Sequence, residues 1–226
     1  MRYQFYREHK YVSSSLNDLE RLIAKTDFCD RIAVEQVKKA FVELIGMLKG
    51  HAEYENGRLH ALLRQKNSPS SIYAQVEEDH VAQDEQLLQI EKMIQDIQLE
   101  QEDRKKIDKG YLLYLGFRKF VADNLAHLHE EETQILPALQ KLYSDQELQQ
   151  VEAQSYREMT PEQIIQMTEV LFPHMNTYDR QAFLMDIYSL VPEKFDGVWA
   201  GVQSIIEEKE RLAMGREQNK RKEIER

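Results

Sequence analysis

The chain has 226 residues, of which 42% are hydrophobic and 31% charged, and a formal net charge of -10. That balance supports a sizeable core and excludes a nucleic-acid binder of the usual kind, which needs a basic patch over the phosphates. The single cysteine, Cys29, excludes an internal disulfide or a thiolate metal cluster and fits a reducing compartment.

Only 8 Gly and 5 Pro occur, a composition that predicts long helices and few tight turns. The first helix is predicted from about Tyr6 to Lys25, with Leu16, Leu19, Leu22 and Ile23 on one stripe. Thr26 to Asp30 is a break, and Asp30 is the expected N-cap of a second helix over 32–65. Gly50 and Gly57 fall inside that helix and mark a bend or a close approach. Asn67-Ser68-Pro69-Ser70 reads as a turn into a third helix, over 71–98. The polar stretch Glu100 to Lys106 reads as the next connection. A fourth helix runs to Tyr143, with Pro137 predicting a kink or an early stop. Beyond it, Thr160-Pro161-Glu162-Gln163 is a helix start, and breaks follow at Phe172-Pro173 and Val191-Pro192. The last twelve residues are nearly all polar and are expected to fray.

The fold class expected from this pattern is all-α. An up-down four-helix bundle over 1–143 carries a helical C-terminal extension over 144–226, which packs on the bundle or mediates assembly, for instance as a homodimer. No run of about 18 apolar residues crosses a membrane, and MRYQFYREHK lacks the apolar stretch of a signal peptide. The expected location is the cytoplasm, where iron is kept ferrous.

Two stretches carry chemistry. HAEYENGRLHALL places His51 and Glu55 four residues apart, and AHLHEEETQILPAL does the same with His127 and Glu131. Residues i and i+4 share a helix face about 6 Å apart along the axis, so an imidazole and a carboxylate so placed reach one metal centre. Depth supplies the test. In an up-down bundle, residues at one level lie at equal distances from the turn between their helices. The midpoint of His9 and His51 is position 30, in the first break. That of His51 and His80 falls just ahead of Pro69, and that of His80 and His127 falls between Asp103 and Arg104. Four histidines, one per helix, therefore share a level. With Glu55 and Glu131 the candidate set is His9, His51, Glu55, His80, His127 and Glu131. Four imidazoles and two carboxylates suit two iron ions, with Mn or Zn as substitutes, rather than Ca or Mg.

The order His, His-xxx-Glu, His, His-xxx-Glu, followed by Ile135-Leu136-Pro137, resembles the hemerythrin-like (HHE) domain over about residues 6–143. The resemblance implies a non-haem di-iron site, bridged by oxo or hydroxo, that binds O2 or a related small oxidant such as NO or peroxide. It maps His9 to the first helix, His51 and Glu55 to the second, His80 to the third, and His127 and Glu131 to the fourth. Oxygen-carrying members have a second third-helix histidine, whereas here the slots one turn from His80 hold Val76 and Asp84. The set is closer to that of the iron-sensing F-box ubiquitin ligase subunit. Open positions then favour reaction or metal sensing over reversible carriage, and Glu77 or Asp84 is a further oxygen donor.

Each residue has a plainer reading. His9 could sit at the surface near a frayed terminus, and His80 on the acidic face Glu77-Glu78-Asp79. Each His–Glu couple could be a solvent-facing pair worth about 0.5 kcal/mol or less, although Leu125, Leu128 and Ile135 predict a buried surround. His60 is expected to pack, His129 to face away, His174 to cap a helix end or reach the site from a lid, and Tyr54, Tyr73, Tyr111 and Tyr114 to be core. Three classes follow: a sensor or binder of O2, NO or iron; a di-iron peroxidase, catalase-like enzyme or oxidase; and a helical interaction protein.

Overall fold

A computed structural model describes residues 3–66, 73–212 and 215. Every regular element among them is helical. The turn at 67–70 expected from sequence, and nearly all of the last twelve residues, lie outside the described residues. The chain divides into two compact units, Val12–Leu142 and Met1–Tyr11 with Tyr143–Arg226.

The unit Val12–Leu142 holds the bundle. Helix α1 (His9–Lys25) enters it, and α2 (Arg31–Tyr54) starts where Asp30 accepts the N–H of Ile32, as its N-cap position predicts. After α2 the chain makes a π turn, Glu55–Leu59, and continues as α3 (His60–Gln65). Helix α4 (Ala74–Leu99) returns. Helix α5 (Asp103–Glu130) follows, then a second π turn, Glu131–Ile135, and α6 (Leu136–Leu142). Apolar side chains at helical spacing meet in one core. It includes Leu16 and Ile23 of α1, Val37 and Phe41 of α2, Ile94 and Ile97 of α4, and Leu113, Phe117 and Phe120 of α5. Burying each aliphatic or aromatic side chain contributes about 1.5–3 kcal/mol.

Three expectations change here. The connection before α5 is shorter than the polar stretch 100–106 implied. The Glu100 carboxylate accepts the N–H groups of Gln101 and Glu102, and α5 begins at Asp103. Pro137 neither stops nor breaks the fourth helix. A proline ring collides with the carbonyl four residues back in an α-helix, and the widened π turn just ahead of it gives that carbonyl a different register. Leu125 and Tyr111 are exposed, at 37% and 61%, so neither belongs to the core.

The second unit pairs the N-terminal segment with the extension. Helices α7 (Asp145–Glu158) and α8 (Pro161–Leu171) each start with a complete capping box, at Ser144 and Thr160. A 3-10 turn at Phe172–His174 leads to α9 (Thr177–Leu190) and α10 (Pro192–Val202). Their apolar faces form a separate core around Ile164, Phe183, Ile187, Val191, Val198 and Val202. Lys194 closes the C-terminal end of α7 by donating to the carbonyls of Tyr156, Arg157 and Met159. No described helix is long and apolar enough to cross a membrane.

Candidate metal centre

In both motif copies the glutamate is the first residue of a π turn. The N–H of His60 bonds to the carbonyl of Glu55, five residues back, and that of Leu136 to the carbonyl of Glu131. Such turns cost regular helical bonding and occur often at functional sites. Ahead of each turn the helix is α, so His51 and Glu55, and His127 and Glu131, stay on one face as the i,i+4 spacing predicts. Both carboxylates are fully buried.

Glu55 faces two ways. Its Oε1 lies 3.1 Å from His51 Nε2, and its Oε2 lies 3.5 Å from His80 Nε2. Glu131 Oε1 lies 3.5 Å from His127 Nε2 and 4.0 Å from His80 Nε2. Glu55, His80, His127 and Glu131 offer one ligand atom each within 4.8 Å of one another, and His51, Glu55 and Glu131 meet the same limit. The two sets share both carboxylates. The His-xxx-Glu couples and His80 therefore do converge within the bundle. His9 opens α1, is buried, and stacks on Tyr6 with ring centroids 4.3 Å apart.

An outer partner sets the orientation of the His80 ring, and a carboxylate lies near the outer side of His127. His80 Nδ1 lies 3.2 Å from Asn56 Oδ1, an acceptor, so the proton sits on Nδ1 and the Nε2 lone pair faces inward. His127 Nδ1 lies 3.6 Å from Asp79 Oδ2, on the far side of its ring from the cluster. The two Nε2 atoms are 2.9 Å apart. Burial first, and the neighbouring His80 second, push the His127 imidazole well below its usual range, which keeps it neutral and able to ligate.

The donor set fits a metal cation. With the His127 proton on Nδ1, facing Asp79, the two Nε2 lone pairs would face each other and repel. Yet two nitrogens about 2.1 Å from one ion at right angles are about 3.0 Å apart. A cation shared by His80 and His127 accounts for the spacing, and it supplies the positive charge that two buried carboxylates require.

The other candidates lie elsewhere. His129 is exposed, as the opposite-face reading predicts. His174 sits in the 3-10 turn of the second unit, its ring 5.3 Å from that of Tyr11. Asp84 lines a cavity of about 340 Å³ between α2 and α4, with Asn56, Glu77 and His80 on its wall. Glu77 binds His60 and Arg64. Sequence reasoning passed over Asn56 and Asp79. Asn56 follows Glu55 and Asp79 precedes His80, and a uniform α-helix would turn each about 100° off the ligand face. The Gly at position 57 was the available signal for an irregular turn at Asn56. The Gln75 amide fixes Asp79 from one turn back, at 2.9 Å.

The profile of the hemerythrin HHE cation binding domain matches residues 1–139. No curated protein and no solved structure matches the chain.

Proposed function

From the membership of this chain in the hemerythrin HHE cation-binding family, we propose that it holds two non-haem iron ions and uses them to bind or sense a small oxidant, O2, NO or peroxide. The observation that carries the reading is the two-way aim of Glu55, one oxygen toward His51 and the other toward His80. A carboxylate so placed could donate one oxygen beside His51 and the other beside His80. His51 would help to hold one ion and His80 and His127 the other, with Glu55 and Glu131 as the carboxylates common to both groups of donors. Nitrogen and carboxylate donors together select iron, manganese or zinc. Iron would supply the electrons for reaction with an oxidant.

The protein's own contribution is placement and exclusion. Asn56 fixes which His80 nitrogen faces inward, and the Asp79 carboxylate lies 3.6 Å from the outer nitrogen of His127. Glu55 and Glu131 are fully buried, as are Leu59, Leu63 and Ile135 on the turns that carry or follow them, so bulk water is kept from competing. The cavity beside Asn56 and His80 gives a small molecule a way in from the face between α2 and α4. A cytoplasmic setting suits this reading, because ferrous iron persists there.

The test is metal analysis of anaerobically prepared, iron-supplemented protein, with visible spectra before and after O2 or NO. About two iron ions per chain and a ligand-dependent spectrum support the reading. Protein that takes up no metal under those conditions overturns it. Sustained turnover of added peroxide would place the chain among the enzymes of this type, and binding without turnover among the sensors.

A further inference from the structure

His60 was expected to be a packing residue, and its surroundings say more. The π turn places His60 one widened turn beyond Glu55, so the two side chains rise from adjoining steps of one helix face. The imidazole is fully buried. Its Nδ1 lies 3.2 Å from Glu77 Oε1, and the same oxygen takes a hydrogen bond from Arg64, an exposed side chain that also caps the Asn56 carbonyl at 2.6 Å. Arg64 lies over the Tyr73 ring, and Tyr73 stacks on His60. Glu77 is thus pinned from outside and faces His60 from the solvent side.

A carboxylate at Nδ1 fixes the tautomer: the proton sits on Nδ1, and Nε2 is a bare acceptor. Nε2 is on the other side of the ring, away from the Glu77 contact. It is buried and has no hydrogen-bond partner among the described residues, whereas buried polar atoms are almost always paired. The ring lies nearly parallel to His80, with centroids 6.3 Å apart, and the charge of Glu55 acts on it. His60 is not one of the four donors that lie within 4.8 Å of one another around His80. A buried acceptor set back from a ring of metal donors suits a small guest molecule that brings its own O–H.

Building on the metal-site reading above, we propose that His60 Nε2 accepts a hydrogen bond from a protic oxygen ligand held in the centre, hydrogen peroxide in class, and so favours it over O2 and NO. Neither O2 nor NO carries a proton to donate. A buried acceptor discriminates between ligands that can and cannot satisfy it, because the wrong ligand leaves it unpaired. Arg64, Glu77 and Tyr73 act as its supports.

The test compares His60→Leu and His60→Met, which lack a comparable acceptor, with His60→Gln, which keeps one. Iron-loaded wild type and variants are titrated with hydrogen peroxide and, separately, with NO, and iron content is measured for each. The apolar variants are expected to lose about tenfold in the peroxide response while iron content and the NO midpoint stay within about twofold. The Gln variant is expected to recover most of the loss. Equal losses toward both probes, or no loss toward peroxide, overturn the proposal, since His60 would then be structural. Wild type that takes up no iron, or answers neither probe, overturns the metal-site reading instead. If one apolar variant does not fold, the other and the Gln variant still decide.

Discussion

His80 and His127 come from different helices, α4 and α5, yet their Nε2 atoms approach to 2.9 Å with the ring planes inclined at 64°. Packing alone gives no reason for two ring nitrogens to converge while Asn56 holds the far side of one ring and the Asp79 carboxylate lies 3.6 Å from the far side of the other. The contact works if a cation sits between them. Without one, the His127 proton must sit on Nε2 and donate to His80, which leaves Nδ1 unprotonated beside the Asp79 carboxylate.

Asn56 is accordingly the most telling substitution outside the donor set. Asn56→Leu removes the acceptor on His80 Nδ1 and leaves all proposed donors in place. Partners of this kind contribute about 10–100-fold to metal affinity. Competition with a chromophoric chelator should show a loss of that size. An affinity equal to wild type would mean that Asn56 does not orient His80.

Glu131→Gln separates stability from function. A buried carboxylate is costly unless charge and hydrogen bonds compensate it, so the neutral variant should melt at or above the temperature of metal-free wild type. Metal should raise the wild-type melting temperature. At 100 times the dissociation constant, linkage supplies about 2.7 kcal/mol, or about 5–10 °C for a chain of this size. The variant should lose most of that rise, and a chelator should abolish it in wild type. Scanning calorimetry with and without metal reads both effects.

How much of this was legible beforehand depends on what local sequence encodes. The four bundle helices were readable because apolar residues recur at 3.6-residue spacing, as from Val34 to Leu48 and from Leu113 to Val121. The caps at Asp30 and Thr160 were readable because each side chain bonds a backbone N–H two or three residues on. The donor couples were readable because i,i+4 spacing survives in any α-turn. The π turns were not. They displace every later side chain by one register step, and what stabilises them is tertiary packing of Leu59, Leu63, Ile135 and Leu139, all fully buried. For the same reason Asn56 and His60 looked like bystanders. The grouping of residues 1–11 with the extension was equally hidden, because it rests on pairs about 180 positions apart, such as Arg7 with Asp186.

Two glycines on bundle helices should respond in opposite directions. A Cβ added at Gly50 meets nothing within 4 Å, whereas one added at Gly110 would come within 2.1 Å of the Phe28 ring. Gly50→Ala should stabilise by about 0.5–1 kcal/mol through helix propensity. Gly110→Ala should destabilise by about 1–3 kcal/mol through overpacking. Denaturant unfolding with unchanged m-values would check both, and a neutral Gly110→Ala would show that Phe28 moves aside freely.

Acid sensitivity has a local source at the turn between α4 and α5. The Lys109 ammonium first, then the N–H groups of Glu102 and Gln101, hold the Glu100 carboxyl down at about 2, from a usual value of 4.5. A lowered folded-state value means that the ionised form is the stabilised one. The contribution is full above about 4.5 and is lost as pH falls toward 2. NMR titration of the Glu100 side chain should give a midpoint well below 4. Glu100→Gln should flatten that part of the acid-unfolding curve, and a normal midpoint would remove the turn from the account.

Within the second unit, Arg7 donates to Asp186 at 2.7 Å, and both side chains are largely buried, at 13% and 8% exposure. Tyr3 donates to the same carboxylate oxygen at 3.4 Å, and its backbone N–H reaches Asp145. Burial raises the Asp186 carboxyl, and Arg7 opposes that rise. Arg7→Met therefore leaves a buried carboxylate without its cation, a change that typically costs about 3–5 kcal/mol. Replacing both partners, Arg7→Met with Asp186→Leu, removes the desolvation penalty along with the pair and should recover most of that loss. The single variant should also become more stable toward acid relative to wild type, because protonating Asp186 relieves the unpaired charge. Thermal melts of the two variants at pH 7 and pH 5 would distinguish this from a surface ion pair, for which both would melt within about a degree or two of wild type.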